Sequence, residues 1–216
     1  MNRILPLVIF AMVTAGLFGQ DITLKEPQAK SGLDLLDAIK ARAAERKFAK
    51  KDIPLADLST ILWAGNGQKG PDAVSGASKA GRTIPYSGDV AYVNVYVLTD
   101  KGVYAYEPEK KLLRQTSKGD ARGKVTPENI KEAACMVLFT YDFAKTPPFL
   151  KKMPALMRNM ADGTAAYAAE NMMLAAAALK LGSIVMYNIT PAAIAPVAKL
   201  GNDETPLFIV QLGYTQ

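Results

Sequence analysis

The chain has 216 residues, half of them hydrophobic, with 26 basic against 20 acidic side chains and a formal charge of +6. That is long and apolar enough for one domain with a real core, and it excludes a disordered chain. The chain has no histidine and one cysteine, which excludes Ser-His-Asp hydrolysis, His-ligated metal and an intrachain disulfide. Any enzyme built on it must use a cofactor, carboxylates, Tyr or Lys.

Residues 1–20 place Arg3 ahead of an apolar run over 5–18, followed by the small residues Ala15, Gly16 and Gly19. This reads as a secretory signal peptide, so the mature chain is expected to start near Gln20 or Asp21 and to be secreted or periplasmic. An uncleaved anchor is the competing reading, against which the run is short for a bilayer span. The later apolar run over 172–179 is shorter still, so no membrane span is expected after signal removal. Residues 21–32 read as an extended linker and 33–216 as the domain.

Leu33, Leu36, Ile39 and Ala43 recur at helical spacing, predicting a helix over about 34–48. Arg42 and Arg46 would then lie one turn apart, able to converge on one anion, although such pairs more often form a solvated face. A second helix is predicted over 55–64, followed by a Gly/Ser-rich mobile loop over 65–81. The β-branched and aromatic stretch 91–98 predicts a strand, turning at 99–102 into a hairpin partner at 103–106, and 107–110 turns again before Leu112 and Leu113. Thr126, Pro127 and Glu128 have the order of a helix start. Beyond them come a buried strand at 135–141, an alanine-rich helix at 161–181, a strand at 183–187, a helix at 191–200 and a last strand at 207–212. The order predicts an α+β sandwich with a mostly antiparallel sheet flanked by helices rather than a doubly wound sheet. No Gly-x-Gly-x-x-Gly follows a strand and no Walker-type loop is present.

Lysines gather at Lys47, Lys50, Lys51, Lys110, Lys111, Lys151 and Lys152 without interleaved aromatics, so a generic basic surface is expected and nucleic acid is not. Contact with anionic lipid or an anionic substrate stays open. Cys135, in an apolar run, is expected to be a buried, inert thiol. Met153, Met157, Met160, Met172 and Met173 fit core or dimer packing, with a substrate lid as the alternative. Asp34/Asp37 and Asp203/Glu204 read as solvated pairs.

Four segments, in this order, resemble the nitroreductase family and its SagB-like dehydrogenase branch. Arg42-Ala43-Ala44-Glu45-Arg46 is similar to the family's Arg-x-Ser-x-Arg, and Leu62-Trp63-Ala64-Gly65-Asn66-Gly67 to Leu-Trp-Ala-Ala-x-Gly. Arg82-Thr83-Ile84-Pro85-Tyr86-Ser87-Gly88 resembles Arg-Thr-x-Pro-Ser-x-Gly. Glu170-Asn171-Met172 through Leu181-Gly182-Ser183 resembles Gln-Asn-Leu through Leu-Gly-Ser. The resemblance implies a nitroreductase-like fold, an intertwined homodimer and FMN at the subunit interface. It implies an FMN-dependent oxidoreductase passing a hydride or electrons from reduced flavin to a small acceptor. A non-catalytic ligand-binding dimer of the same fold is the alternative, and a surface protein using its basic face is a third reading. The implied flavin contacts are Arg42, Ala43, Ala44, Arg46, Pro85, Tyr86, Ser87, Gly88, Met186 and Tyr187; no catalytic side chain and no metal ligand is assigned. Four departures stand out. Ala44 has no hydroxyl, Tyr86 stands where Ser is usual, Tyr187 stands near a usual Gly, and 213–216 brings no basic residue. Bulk at Tyr187 is expected to crowd the ring.

Overall fold

In the computed structural model of the protein, the described residues are 19–28, 30, 32–69, 81–87, 90–126 and 132–216. Residues 1–18 of the expected signal, most of the 65–81 loop, Gly88 and the helix start at Pro127 and Glu128 lie outside them. Seven strands form one sheet: β1 (Ile22–Thr23), β2 (Val93–Leu98), β3 (Gly102–Glu107), β4 (Leu112–Lys118), β5 (Cys135–Asp142), β6 (Gly182–Met186) and β7 (Glu204–Gly213). Their order is β1-β4-β3-β2-β5-β7-β6, every pairing antiparallel. The helices are α1 (Leu35–Ala41), α2 (Leu55–Asn66), α3 (Arg122–Val125), α4 (Pro154–Ala178) and α5 (Pro191–Ala198). The expected α+β sandwich is what forms.

Strand alternation sends side chains to two cores. Val95, Val97, Val137, Phe139 and Val210 pack with Leu58, Ile61, Leu62, Ala165, Ala168 and Met172 of α2 and α4. Tyr96, Leu98, Met136, Leu138 and Ile209 pack on the opposite face with Val125 of α3 and Ile194 and Ala198 of α5. Covered on both sides, β5 reads as a nearly continuous apolar run. Its Cys135 is a buried free thiol, and burial pushes its pKa up to about 12, so it stays protonated and inert.

Helix α4 begins at Pro154, seven residues ahead of the alanine-rich run, because proline suits the first helical turn. It packs closely on α2. A Cβ added at Gly65 would lie 2.9 Å from the Ala168 carbonyl oxygen, so only glycine permits this approach. Lys180 ends the helix in a left-handed conformation, φ 61°. The Leu181 N–H donates to Ala176 O at 2.8 Å and the Lys180 N–H to Ala177 O at 3.0 Å, which turns the chain into β6.

Three expectations are corrected here. The helix predicted over 34–48 stops at Ala41, and Arg42 is already extended, φ −61°, ψ 121°. Beyond it Ala44 bridges Ser183 in parallel, and Phe48 bridges Thr215 antiparallel. Helix propensity among these Ala, Arg, Glu and Lys residues is worth at most ~0.7 kcal/mol each. Full burial of Phe48 contributes about 1.5–3 kcal/mol by itself, besides the backbone pairing gained. Second, the 21–32 stretch is not merely a linker: β1 pairs with β4 and Leu24 is buried. Third, Glu204 is not a solvated carboxylate. It accepts from Asn94 Nδ2 at 2.8 Å, from the Tyr96 hydroxyl at 3.0 Å and from the Thr140 hydroxyl. Burial and that carboxylate together push the Tyr96 hydroxyl pKa far up.

Candidate functional site

The outer edge of β6 gathers most of the residues singled out by sequence. Residues 42–48 lie along its start: the Glu45 N–H donates to Ser183 O at 2.9 Å. The Ala49 N–H donates to Tyr214 O at 2.8 Å, so the segment is held between β6 and residues 214–216. Gly182 is needed at this junction, because a Cβ there would meet Glu45 Cγ and Thr215 Cγ2, both at 2.8 Å. The Glu45 carboxylate folds back to accept from the Arg46 and Lys47 N–H groups at 2.8 and 2.7 Å, fixing the extended path.

Arg42 and Arg46 are therefore not one helical turn apart, which corrects the sequence reading. Arg42 is extended, Ala44 is held at Ser183, and Arg46 follows on the same short stretch along the start of β6. Arg42 is half-buried, and its Nε lies 3.9 Å from Glu170 Oε1, a loose pair worth little on a wet surface. Arg46 is exposed and makes no ion pair among the described residues. Two guanidiniums bracketing Ala44 suit an anion such as a phosphate. Ala44 itself, with no hydroxyl, offers only backbone.

Met186 and Tyr187 lie further along the same strand edge, ~10–13 Å beyond Ser183. Met186 is buried, its sulfur accepting from Gln211 Nε2 at 2.9 Å, so it shapes the strand end from inside. Tyr187 is 68% exposed, and its ring leans on Phe208, centroids 5.1 Å apart. Ser183 presents its carbonyl outward to Glu45, so by alternation Val185 presents backbone groups from the same edge, whereas the Tyr187 carbonyl, past the strand end, accepts from the Ile189 N–H at 3.0 Å.

Residues 85–87 lie elsewhere in the chain. Pro85 and Ser87 are exposed and line a cleft of about 410 Å³ with Asn159, Met160, Gly163 and Tyr167 from the first half of α4. Tyr86 is buried. Its hydroxyl donates to Asn66 Oδ1 at 3.0 Å, its ring meets Tyr92 edge-on at 5.2 Å, and burial pushes its pKa far up. It anchors the loop in the core and still contributes to the lining of the cleft between Pro85 and Ser87. Gly163 and Glu170 are about 10 Å apart along α4, so this cleft and Arg42 occupy successive parts of one helix.

Sequence reasoning named Glu170 only as part of a motif. Its position beside Arg42 comes from tertiary packing, and the signal available was an acid where the family pattern has Gln. Asn171 next to it ties α4 to α2, donating to Ala64 O at 3.2 Å. Among the described residues no His, Cys, Asp and Glu cluster could hold a metal ion, and no helix is long and apolar enough to cross a membrane.

Comparison with solved structures agrees with this geometry. A protein of Ralstonia eutropha JMP134 described as a nitroreductase is 26% identical, with TM-score 0.80 over 93% of this chain and 92% of that one. One from Anabaena variabilis ATCC 29413, described likewise, is 18% identical with TM-score 0.74 over 91% of this chain and 42% of its own. The NADPH:FMN oxidoreductase of Vibrio harveyi, solved with NAD+, is 17% identical with TM-score 0.57 over 84% of this chain and 69% of its own. No curated protein matches the chain. The nitroreductase family model matches residues 39–214; with the seven-stranded antiparallel sheet and its flanking helices, this shows that the chain belongs to the nitroreductase family.

Proposed function

We propose that the protein is an FMN-dependent oxidoreductase of the SagB-like branch, passing a hydride or electrons to a small acceptor. It works as a homodimer in a secreted or periplasmic setting after loss of residues 1–20. The observation that carries the reading is the juxtaposition at β6. Arg42 and Arg46 flank the point where Ala44 pairs with Ser183, and the strand edge then runs on to Tyr187, whose ring is turned onto Phe208.

FMN, when bound, supplies the two-electron chemistry, which suits a chain without histidine. The chain's own residues bind and orient. Arg42 and Arg46 hold the phosphate by charge-assisted hydrogen bonds. The outward backbone groups of Val185 would face the polar edge of the ring. Residues 85–87 stand apart from this edge in one chain, in keeping with an interfacial site to which a second copy brings its own loop. Glu170, close to Arg42, lowers the positive charge available to the phosphate. Together with Ala44 it favours weaker flavin binding than Arg-x-Ser-x-Arg would give. Those two residues also support the second reading, a ligand-binding dimer without catalysis.

The test is a spectrum. Purified protein titrated with FMN should show saturable quenching of flavin fluorescence and should be reduced by a chemical donor and reoxidised by a small acceptor. A preparation that neither carries flavin nor binds added FMN overturns the proposal. One that binds but never turns over supports the second reading.

A further inference from the structure

At the opposite end of the sheet from β6, a cavity of about 340 Å³ opens between the 24–27 segment, α2 and the β3–β4 turn. Its volume falls in the range of small-molecule sites. Trp63 and Tyr106 give it aromatic walls, and Lys25, Lys69, Lys111 and Glu109 rim it. Lys111 pairs with Glu26, whereas Lys25 and Lys69 make no ion pair among the described residues, so the rim carries excess positive charge.

Behind Glu109, and not itself lining the cavity, lies Arg82, 8% exposed, paired through Nη2 to the Glu109 carboxylate. The Gln68–Arg82 bridge sets it beside this wall. Its Nε and Nη1 are buried and have no hydrogen-bond partner. A buried guanidinium using one nitrogen of three is poorly satisfied, and leaving such donors empty is costly. Glu109, by contrast, is 60% exposed on its side chain, and so a solvent-facing carboxylate is what holds Arg82.

We infer that this cavity binds a small aromatic carboxylate, whose ring lies between Trp63 and Tyr106 and whose carboxylate takes the place of Glu109 on Arg82. Lys25 and Lys69 add charge that attracts the anion, and the Arg82 fork offers the geometry a planar carboxylate matches. Glu109 acts as a built-in competitor that occupies the guanidinium until a ligand arrives. The site shares no residue with the β6 edge and does not rest on flavin binding there.

Trp63 is the single tryptophan of the chain, so its fluorescence reports a ligand bound against it, and the Glu109 and Arg82 variants assign that signal to this cavity rather than to the neighbouring one that Trp63 also lines. Full-length protein titrated with sodium benzoate should show a saturable change in Trp63 emission. Neutral benzamide should bind at least tenfold more weakly. Glu109→Gln should tighten benzoate several-fold by removing the competing charge, and Arg82→Ala should weaken it tenfold or more. If Arg82→Ala fails to fold, as judged by circular dichroism, the Glu109→Gln titration decides alone. Absence of any benzoate response, equal binding of benzamide, or a Glu109→Gln variant that titrates like the wild type each overturns the inference. A purely structural Arg82–Glu109 pair would give that last result.

Discussion

Helices α1 and α4 both carry apolar residues at helical spacing, yet the chain treats them in opposite ways. In α4, Met157, Ala161, Ala165, Ala168, Met172 and Ala176 are buried against α2 and the sheet. In α1 only Ala38 is buried, while Leu35, Leu36 and Ile39 are 65%, 67% and 50% exposed. Periodicity shows that a helix has an apolar face; it does not show what covers that face. Within one chain α4 finds its cover and α1 does not. An apolar face left open beside a charged one is the kind of surface that marks a contact with another molecule.

The comparison breaks most sharply at Met172. Fully buried in the α2–α4 contact, it should lose about 2–5 kcal/mol on Met172→Ala, read as a lower urea midpoint. An unchanged midpoint would mean that the α2–α4 contact is not the stabilising seam.

A second, somewhat smaller effect tests the stretch just past α1. Arg46→Ala should weaken FMN by about 1.5–3 kcal/mol, roughly ten- to a hundredfold. Since Arg46 is exposed and lies outside any helix or strand, the urea midpoint should not move. Ala44→Ser should tighten FMN slightly. Wild-type affinity in Arg46→Ala would make that residue a solvated charge.

Leu36→Glu sharpens the α1 side. In one chain Leu36 is mostly exposed, so the substitution should leave unfolding within about 0.5 kcal/mol. If α1 faces a second copy, it should raise the dimer dissociation constant tenfold or more, about 1.4 kcal/mol, in sedimentation equilibrium. An unchanged dimer would place the interface elsewhere.

The smallest effect belongs to Glu170, where α4 meets the end of α1. Glu170→Gln removes a half-exposed charge 3.9 Å from Arg42 and should tighten FMN by under ~1 kcal/mol, a few-fold at most. Weaker binding instead would show that Glu170 chiefly positions Arg42.

Much of the fold is legible in the residues themselves. Val93 to Leu98 and Cys135 to Tyr141 are β-branched and aromatic runs that had to be buried strands, and Pro191 and the alanine-rich run mark helices. The motif order brought the family within reach, and with it Arg42, Arg46 and the β6 end. The β1 strand was not legible, because two residues carry no periodicity and need β4 beside them to become a strand. The burial of Tyr86 was not legible, because a loop motif gives no sign of which member turns inward toward Asn66 and Tyr92. The Arg82–Glu109 pair joins residues 27 apart and leaves no local trace.

The plainest division falls at residues 42–48. By itself the sequence determined that this stretch is basic, alanine-rich and locally suited to a helix. Only the tertiary structure decided that it runs extended along β6. Local propensity amounts to fractions of a kcal/mol per residue, whereas pairing with Ser183 and Thr215 and the burial of Phe48 contribute kcal/mol at single residues. Pairing and burial of that kind depend on partners more than a hundred residues away, which no window of the sequence contains.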